Sequence, residues 1–184
     1  MPTSHTREEQ IKTIKDIFVS LIWIAARQFS HHVQTFGLTH PQFMVLVSLA
    51  THQQACTMRD LTDITFQDPP TMTGIIDRLV KMKLVRRTRS EQDRRVVLVE
   101  ATSAGVELIN RFKDETMQED LKGYAKFSDE DLSTLERSLR YLLRMHVGQY
   151  MSLQGAELDA EIEKLQNFRN DPIRYMKAKD KKVS

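Results

Sequence analysis

The 184-residue chain holds a single cysteine, Cys56, with six glycines and five prolines. One cysteine excludes an intramolecular disulfide framework and fits a reducing compartment. So few helix breakers leave long uninterrupted segments, which predicts long helices. No apolar run approaches the roughly 20 residues that span a bilayer. The opening MPTSHTREEQ is polar, without a hydrophobic signal segment, so a soluble cytoplasmic protein with no membrane partner is expected. No phosphate loop, zinc-hydrolase motif or nucleophile elbow occurs. An enzyme is therefore not expected, and no catalytic residue or cofactor is assigned. His31, His32, His40 and His52 show neither an i,i+4 pairing nor a cysteine companion, so no metal site is assigned either.

Charge, by contrast, is concentrated. Residues 71–95 hold eight basic residues against three acidic ones, a surplus of five, while the formal net charge of the whole chain is only +2. The peak is RRTRSEQDRR at 86–95, with five arginines. A basic segment in an otherwise slightly acidic chain is the footprint of a polyanionic partner.

Apolar spacing and capping signals place this segment in an order of elements. Ile11, Ile14, Phe18, Leu21 and Ala25 step by three and four along a first helix over about 8–33, widened by Ile22 and Phe29. Such a stripe needs a partner helix. In FGLTHPQFMVLVSLA, Thr39 and Gln42 read as a capping box with Pro41 in the first turn. Thr57 and Asp60 open a short third helix that turns Leu61 and Ile64 inward. Asp68 caps a fourth, over about 69–82, with Pro69 at its first position. Its apolar side is Ile75, Ile76, Leu79 and Met82, leaving Thr71, Thr73, Gly74, Asp77 and Arg78 opposite. The β-compatible runs LVRRTR and VVLVE then bracket a polar loop, a hairpin over about 84–100. Thr102 or Ser103 starts a helix to about Tyr124. Ser128 and Asp131 box another, striped by Leu132, Leu135, Leu139, Leu142 and Leu143. A last helix, about 156–170, carries Leu158, Ile162, Leu165 and Phe168, with Pro172 at its end and a KAKDKKVS tail expected to be disordered.

Helix, short helix, helix, β-hairpin is the order of a winged helix-turn-helix. The fold expected is mainly α with a small β-hairpin wing. In such a lobe the N-terminal turns of the recognition helix enter the major groove. Small residues there, Thr71, Thr73 and Gly74 beside Pro70 and Arg78, admit the backbone and bond phosphates or base edges. The positive end of the helix dipole also faces phosphates. Asp68 is expected to serve as a cap and Asp77 to form a helix-internal salt bridge. Arginines at a hairpin tip suit the narrow minor groove. Arg87 and Arg89, alternate on one strand, are expected to hold phosphates, and Arg86, on the opposite face, to be solvated. Asp93 is expected to orient the Arg95 guanidinium in a bidentate pair, with Arg94 a second tip contact.

The stretch LTDITFQDPPTMTGIIDRLVKMKLVRRTRSEQDRRVVLVEATSAG resembles the core of the MarR family of bacterial transcription regulators. Thr71, Thr73 and Leu79 fill its recognition-helix positions, Leu84 and Arg87 its strand, and Asp93, Arg95, Thr102 and Gly105 its wing and following helix start. LTHPQFMVLVSLA and FSDEDLSTLERSLRYLL also resemble flanking helices of the family, extending the resemblance over about 8–147. Three departures stand out: Gly74 where arginine is frequent, Lys83 in place of a turn glycine, and Ala101 in place of leucine.

The resemblance implies a homodimeric repressor that binds a pseudo-palindromic double-stranded DNA operator. It implies a dimerisation region of N- and C-terminal helices around the DNA-binding lobe. The expected organisation is an N-terminal dimerisation helix over 1–36, the winged lobe over 37–102, dimerisation helices over 103–150, and an additional helix with a basic tail over 151–184. Ile11, Ile14, Phe18, Leu21, Leu139, Leu142, Leu158, Ile162 and Leu165 are the expected dimer contacts, with the last helix crossing to the partner; His146 is placed at an interface. The resemblance further implies a small aromatic or phenolic effector bound between the dimer helices and the DNA lobe, for which Phe36, Met44 and Met72 are the candidate lining residues. Cys56 is read as structural rather than as a redox switch. The alternative reading is a winged-helix assembly module whose basic hairpin binds an acidic protein.

Overall fold

In the computed structural model, residues 6–52, 55–65 and 67–170 are described, with side chains as far as residue 166. Phe168 therefore lies outside the described side chains, and Pro172 and the KAKDKKVS tail lie outside the described residues. The chain divides into two units, Met1–Phe43 and Met44–Ser184.

The first unit is dominated by helix α1, Arg7–Thr35, opened by a capping box in which Thr6 and Glu9 bond each other's backbone N–H groups. Its end is a Schellman turn. Gly37, at φ 73, donates to the Gln34 carbonyl and Leu38 to that of Val33. Helix α2, His40–His52, begins here and continues into the second unit. At its start the Thr39 N–H donates to Gln42 Oε1 at 2.9 Å. Phe29 stacks edge-on against Phe43, with ring centroids 5.3 Å apart.

The second unit contains the expected succession plus one element without a local signal. Strand β1, Cys56–Thr57, precedes α3, Met58–Thr65, and α4, Pro69–Lys81; strands β2, Val85–Arg89, and β3, Val97–Ala101, form the hairpin. The sheet is antiparallel in the order β1-β3-β2. Cys56 stands opposite Val99, which also faces Arg87. Cys56 is thus a buried strand residue, its thiol 3.8 Å from the Val99 carbonyl oxygen. The core beneath α4 consists of Leu46, Leu49, Leu61, Met72, Ile76, Leu79, Val99 and Ile109, all fully buried.

Helix α5, Ser103–Tyr124, is tied to the exit of α4 through Thr102. The Thr102 hydroxyl donates to the Lys83 carbonyl at 2.7 Å and accepts the Gly105 N–H at 3.2 Å, while its own N–H donates to the Leu84 carbonyl at 3.0 Å. Gly105 lies so near that a Cβ there would fall 2.2 Å from the Leu84 oxygen. Helix α6, Asp129–Met151, carries the Ser128–Asp131 box. Helix α7, Gly155–Asn170, folds back on α6 through the Arg144–Asp159 ion pair and Leu158, which sits against Gly148. Among the described residues no helix is long and apolar enough to cross a membrane.

Candidate nucleic-acid interface

Helix α4 owes its entry to Asp68, whose carboxylate accepts the Thr71 N–H at 2.9 Å and the Thr71 hydroxyl at 2.7 Å. These bonds, the backbone one first, hold the Asp68 carboxyl below the usual carboxylate range. The positive end of the α4 dipole is thus capped from within the chain, as expected of Asp68. The second threonine hydroxyl is also committed, with Thr73 donating to the Pro69 carbonyl at 3.0 Å. Met72, Ile75, Ile76 and Leu79 face the core. The opposite side presents Pro70, Thr71, Thr73, Gly74, Asp77 and Arg78, all exposed as expected.

The helix ends in a second Schellman turn, built without glycine. Lys83 takes φ 61; its N–H donates to the Val80 carbonyl at 2.9 Å, and that of Leu84 to Leu79 at 3.0 Å. A lysine thus occupies the left-handed position, and the following Leu84 and Val85 are buried.

Three charge assignments on the wing differ from expectation. Asp77 reaches across to β2, where it pairs with Arg87 at 2.6 Å rather than within its helix. That engages a guanidinium expected to hold phosphate. Arg86, expected to be solvated, pairs with Glu100 at 2.7 Å, because the register sets the two residues directly opposite. Asp93 accepts the backbone N–H of Arg95 at 2.9 Å, and no Asp93–Arg95 ion pair forms among the described residues. A carboxylate two residues upstream closes this turn with its own short side chain, whereas a guanidinium pair would also have to order the long arginine. Ser90 Oγ accepts the Gln92 and Asp93 N–H groups, and Ser90 N–H donates to Val96 at 3.0 Å, fastening the loop base. Arg78, Arg89, Arg94 and Arg95 are exposed and form no ion pair among the described residues.

The remaining expected contacts fall in different surroundings. Ile11, Ile14, Leu21, Leu139 and Leu165 are exposed, Phe18, Leu142 and Ile162 half-buried. Leu158 is buried, and its contact at Gly148 uses within the chain a surface expected to meet a partner. His146 Nδ1 lies 2.9 Å from the Leu142 carbonyl oxygen of its own helix. Of the candidate effector residues, Phe36 is buried in the first unit; in the second, Met44 is partly exposed and Met72 wholly buried in the core. A cavity of about 340 Å³ within the second unit is lined by other residues, among them Leu49, Glu100, Thr102 and Val106.

Residues 36–96 match the family model described as MarR family. The organic hydroperoxide resistance transcriptional regulator of Bacillus subtilis is 30% identical over 117 residues, covering 64% of this chain and 78% of that protein. The chain belongs to the MarR family. Its fold agrees with that of solved structures: the YusO protein from Bacillus subtilis aligns with TM-score 0.64 at 20% identity, over 76% of this chain and 99% of that one. A mutant of S. aureus MepR bound to an oligodeoxyribonucleotide aligns with TM-score 0.61 at 20% identity, over 71% and 95%. This MarR-family chain is therefore mainly helical with a three-stranded winged-helix sheet, and its named relative is a transcriptional regulator rather than an enzyme.

Proposed function

We propose that the chain is a sequence-specific DNA-binding repressor of transcription, acting in the cytoplasm as a homodimer on a pseudo-palindromic operator. The observation that carries this reading is the placement of unpaired cations: Arg78 on the exposed side of α4 and Arg89, Arg94 and Arg95 on the wing. The local acids Asp77 and Glu100 pair with Arg87 and Arg86, leaving four arginines whose whole guanidinium groups are available to a polyanion. With α4 in the major groove, Pro70, Thr71, Thr73, Gly74 and Arg78 meet base edges and phosphates. The wing arginines enter the adjacent minor groove. Asp93 shapes the loop that carries Arg94 and Arg95, and Arg87 contributes its remaining N–H groups to the backbone.

Residues 1–36, 103–150 and the added 151–184 segment supply the dimer contacts around the lobe at 37–102. Exposed apolar side chains on α1, α5 and α6, including Trp23 at 75% and Tyr141 at 71%, support this assignment, since patches of that kind are characteristic of interaction surfaces. A small aromatic or phenolic effector modulates DNA affinity.

The Thr73→Ala/Arg95→Ala double variant tests the reading by fluorescence anisotropy on duplexes selected from a random pool. Affinity for the selected duplex should fall, and the slope of log K against log salt should flatten by about one unit for the lost phosphate contact. Unchanged affinity and slope, together with binding to an acidic protein through the hairpin, would establish the assembly-module alternative instead.

A further inference from the structure

Gly74 is costly to the fold and useless to its packing. It lies in the interior of α4 with ordinary helical φ, where glycine is among the least favourable residues. A Cβ built on it meets no atom within 4 Å, so no neighbour requires its absence. Its neighbours one turn away, Pro70, Thr71, Asp77 and Arg78, are all exposed and stand taller than it, which makes Gly74 a notch in the outward face of α4.

The chemistry around the notch is specific. Pro70 brings an apolar ring and no N–H. The hydroxyl hydrogens of Thr71 and Thr73 are donated to Asp68 and to the Pro69 carbonyl, so these side chains offer methyl groups and oxygen lone pairs outward. The one carboxylate of α4, Asp77, is neutralised by Arg87. Arg78 and the threonine lone pairs beside the notch serve phosphates and base donors, whereas the open space over Gly74 itself carries no polar side-chain atom and takes a small apolar group. In the major groove that group is the 5-methyl of thymine.

We propose that Gly74 is a specificity-determining residue that seats a thymine methyl group at one symmetric position of each half-site. This rests on the DNA-binding reading above and deepens it by naming the base that α4 selects. An added methyl at position 74 occupies the space of the thymine methyl, so Gly74→Ala and removal of that methyl compensate each other.

The experiment uses the full-length protein and a synthetic inverted-repeat duplex selected by the wild type from a random pool, with each thymine replaced in turn by deoxyuridine. Wild type should lose about fourfold in affinity at one position per half-site, the loss expected for one buried methyl, and about fifteenfold when both are replaced. Gly74→Ala should melt at or above the wild-type temperature, bind the thymine duplex more weakly than wild type does, and prefer deoxyuridine at that same position. The inference is overturned if no thymine is methyl-sensitive, or if Gly74→Ala retains the wild-type preference for thymine there. Failure of wild type to select any duplex overturns instead the DNA-binding reading, and the inference with it.

Discussion

Replacing Gly105 by alanine tests how the wing, the exit of α4 and α5 are locked together. The new Cβ would lie 2.2 Å from the Leu84 carbonyl oxygen and 3.1 Å from Leu46 Cδ1. The leucine methyl is the end of a flexible side chain and can yield. The carbonyl is backbone, and an ordinary C···O contact of about 3.3 Å requires it to move about 1.1 Å. That carbonyl accepts the Thr102 N–H at 3.0 Å, so the movement strains or breaks the bond. Overpacking costs about 1–3 kcal/mol, and a buried unsatisfied group about another 1–3. Alanine's higher helix propensity returns about 1 kcal/mol. The net expectation is a loss of about 3 kcal/mol, read from urea unfolding followed by helical circular dichroism. Gly123→Ala is the internal control: it changes the same helix with nothing within 4 Å of the added Cβ, and should be neutral or stabilise by up to about 1 kcal/mol. A Gly105→Ala midpoint at or above wild type would refute the packing argument, as would an equal loss at Gly123.

Lys83→Gly should raise the urea midpoint, by about 1 kcal/mol in stability, because it relieves the left-handed strain at φ 61; a fall would mean that the Schellman turn is not strained there. In acid, the Asp68 and Asp131 carboxylates, held below their usual range mainly by Thr71 and Ser128 hydrogen bonds, should withdraw their support. Their folded-state values are lowered, so the contribution is present above the unfolded value and disappears as pH falls below about 4. A melting series should therefore show a shallower acid limb for Asp68→Ala/Asp131→Ala than for wild type, and identical limbs would contradict the capping account. Ile14→Glu/Leu139→Glu, or truncation at about residue 150, should weaken the proposed dimer in sedimentation; an unchanged dissociation constant would remove those residues from the interface.

Elements whose determinants are local were legible before the fold was known. Asp68 and Pro69 starting α4 and the reciprocal Thr57–Asp60 and Ser128–Asp131 bonds all follow from side chains within a few residues of their partners. The Thr6–Glu9 box carries the same local signal in its three-residue spacing. Strand β1 was not legible, because two residues carry no periodicity and Cys56–Thr57 becomes a strand only by pairing with β3. The Arg86–Glu100 and Asp77–Arg87 pairs escape sequence reading for a related reason. Arg86–Glu100 depends on the hairpin register, and Asp77–Arg87 on how β2 passes α4; neither relation is encoded by the spacing of the charges. Asp93 is a different case, since a local backbone turn competed with a side-chain pair and prevailed.

The central claim is that this lobe reads DNA sequence. Its most direct measurement is the equilibrium affinity of the full-length protein for its best selected inverted repeat and for a scrambled duplex of the same composition, at fixed salt. The account predicts at least about 10³-fold tighter binding to the repeat, with one protein dimer per repeat. Equal affinity for the two duplexes would contradict it.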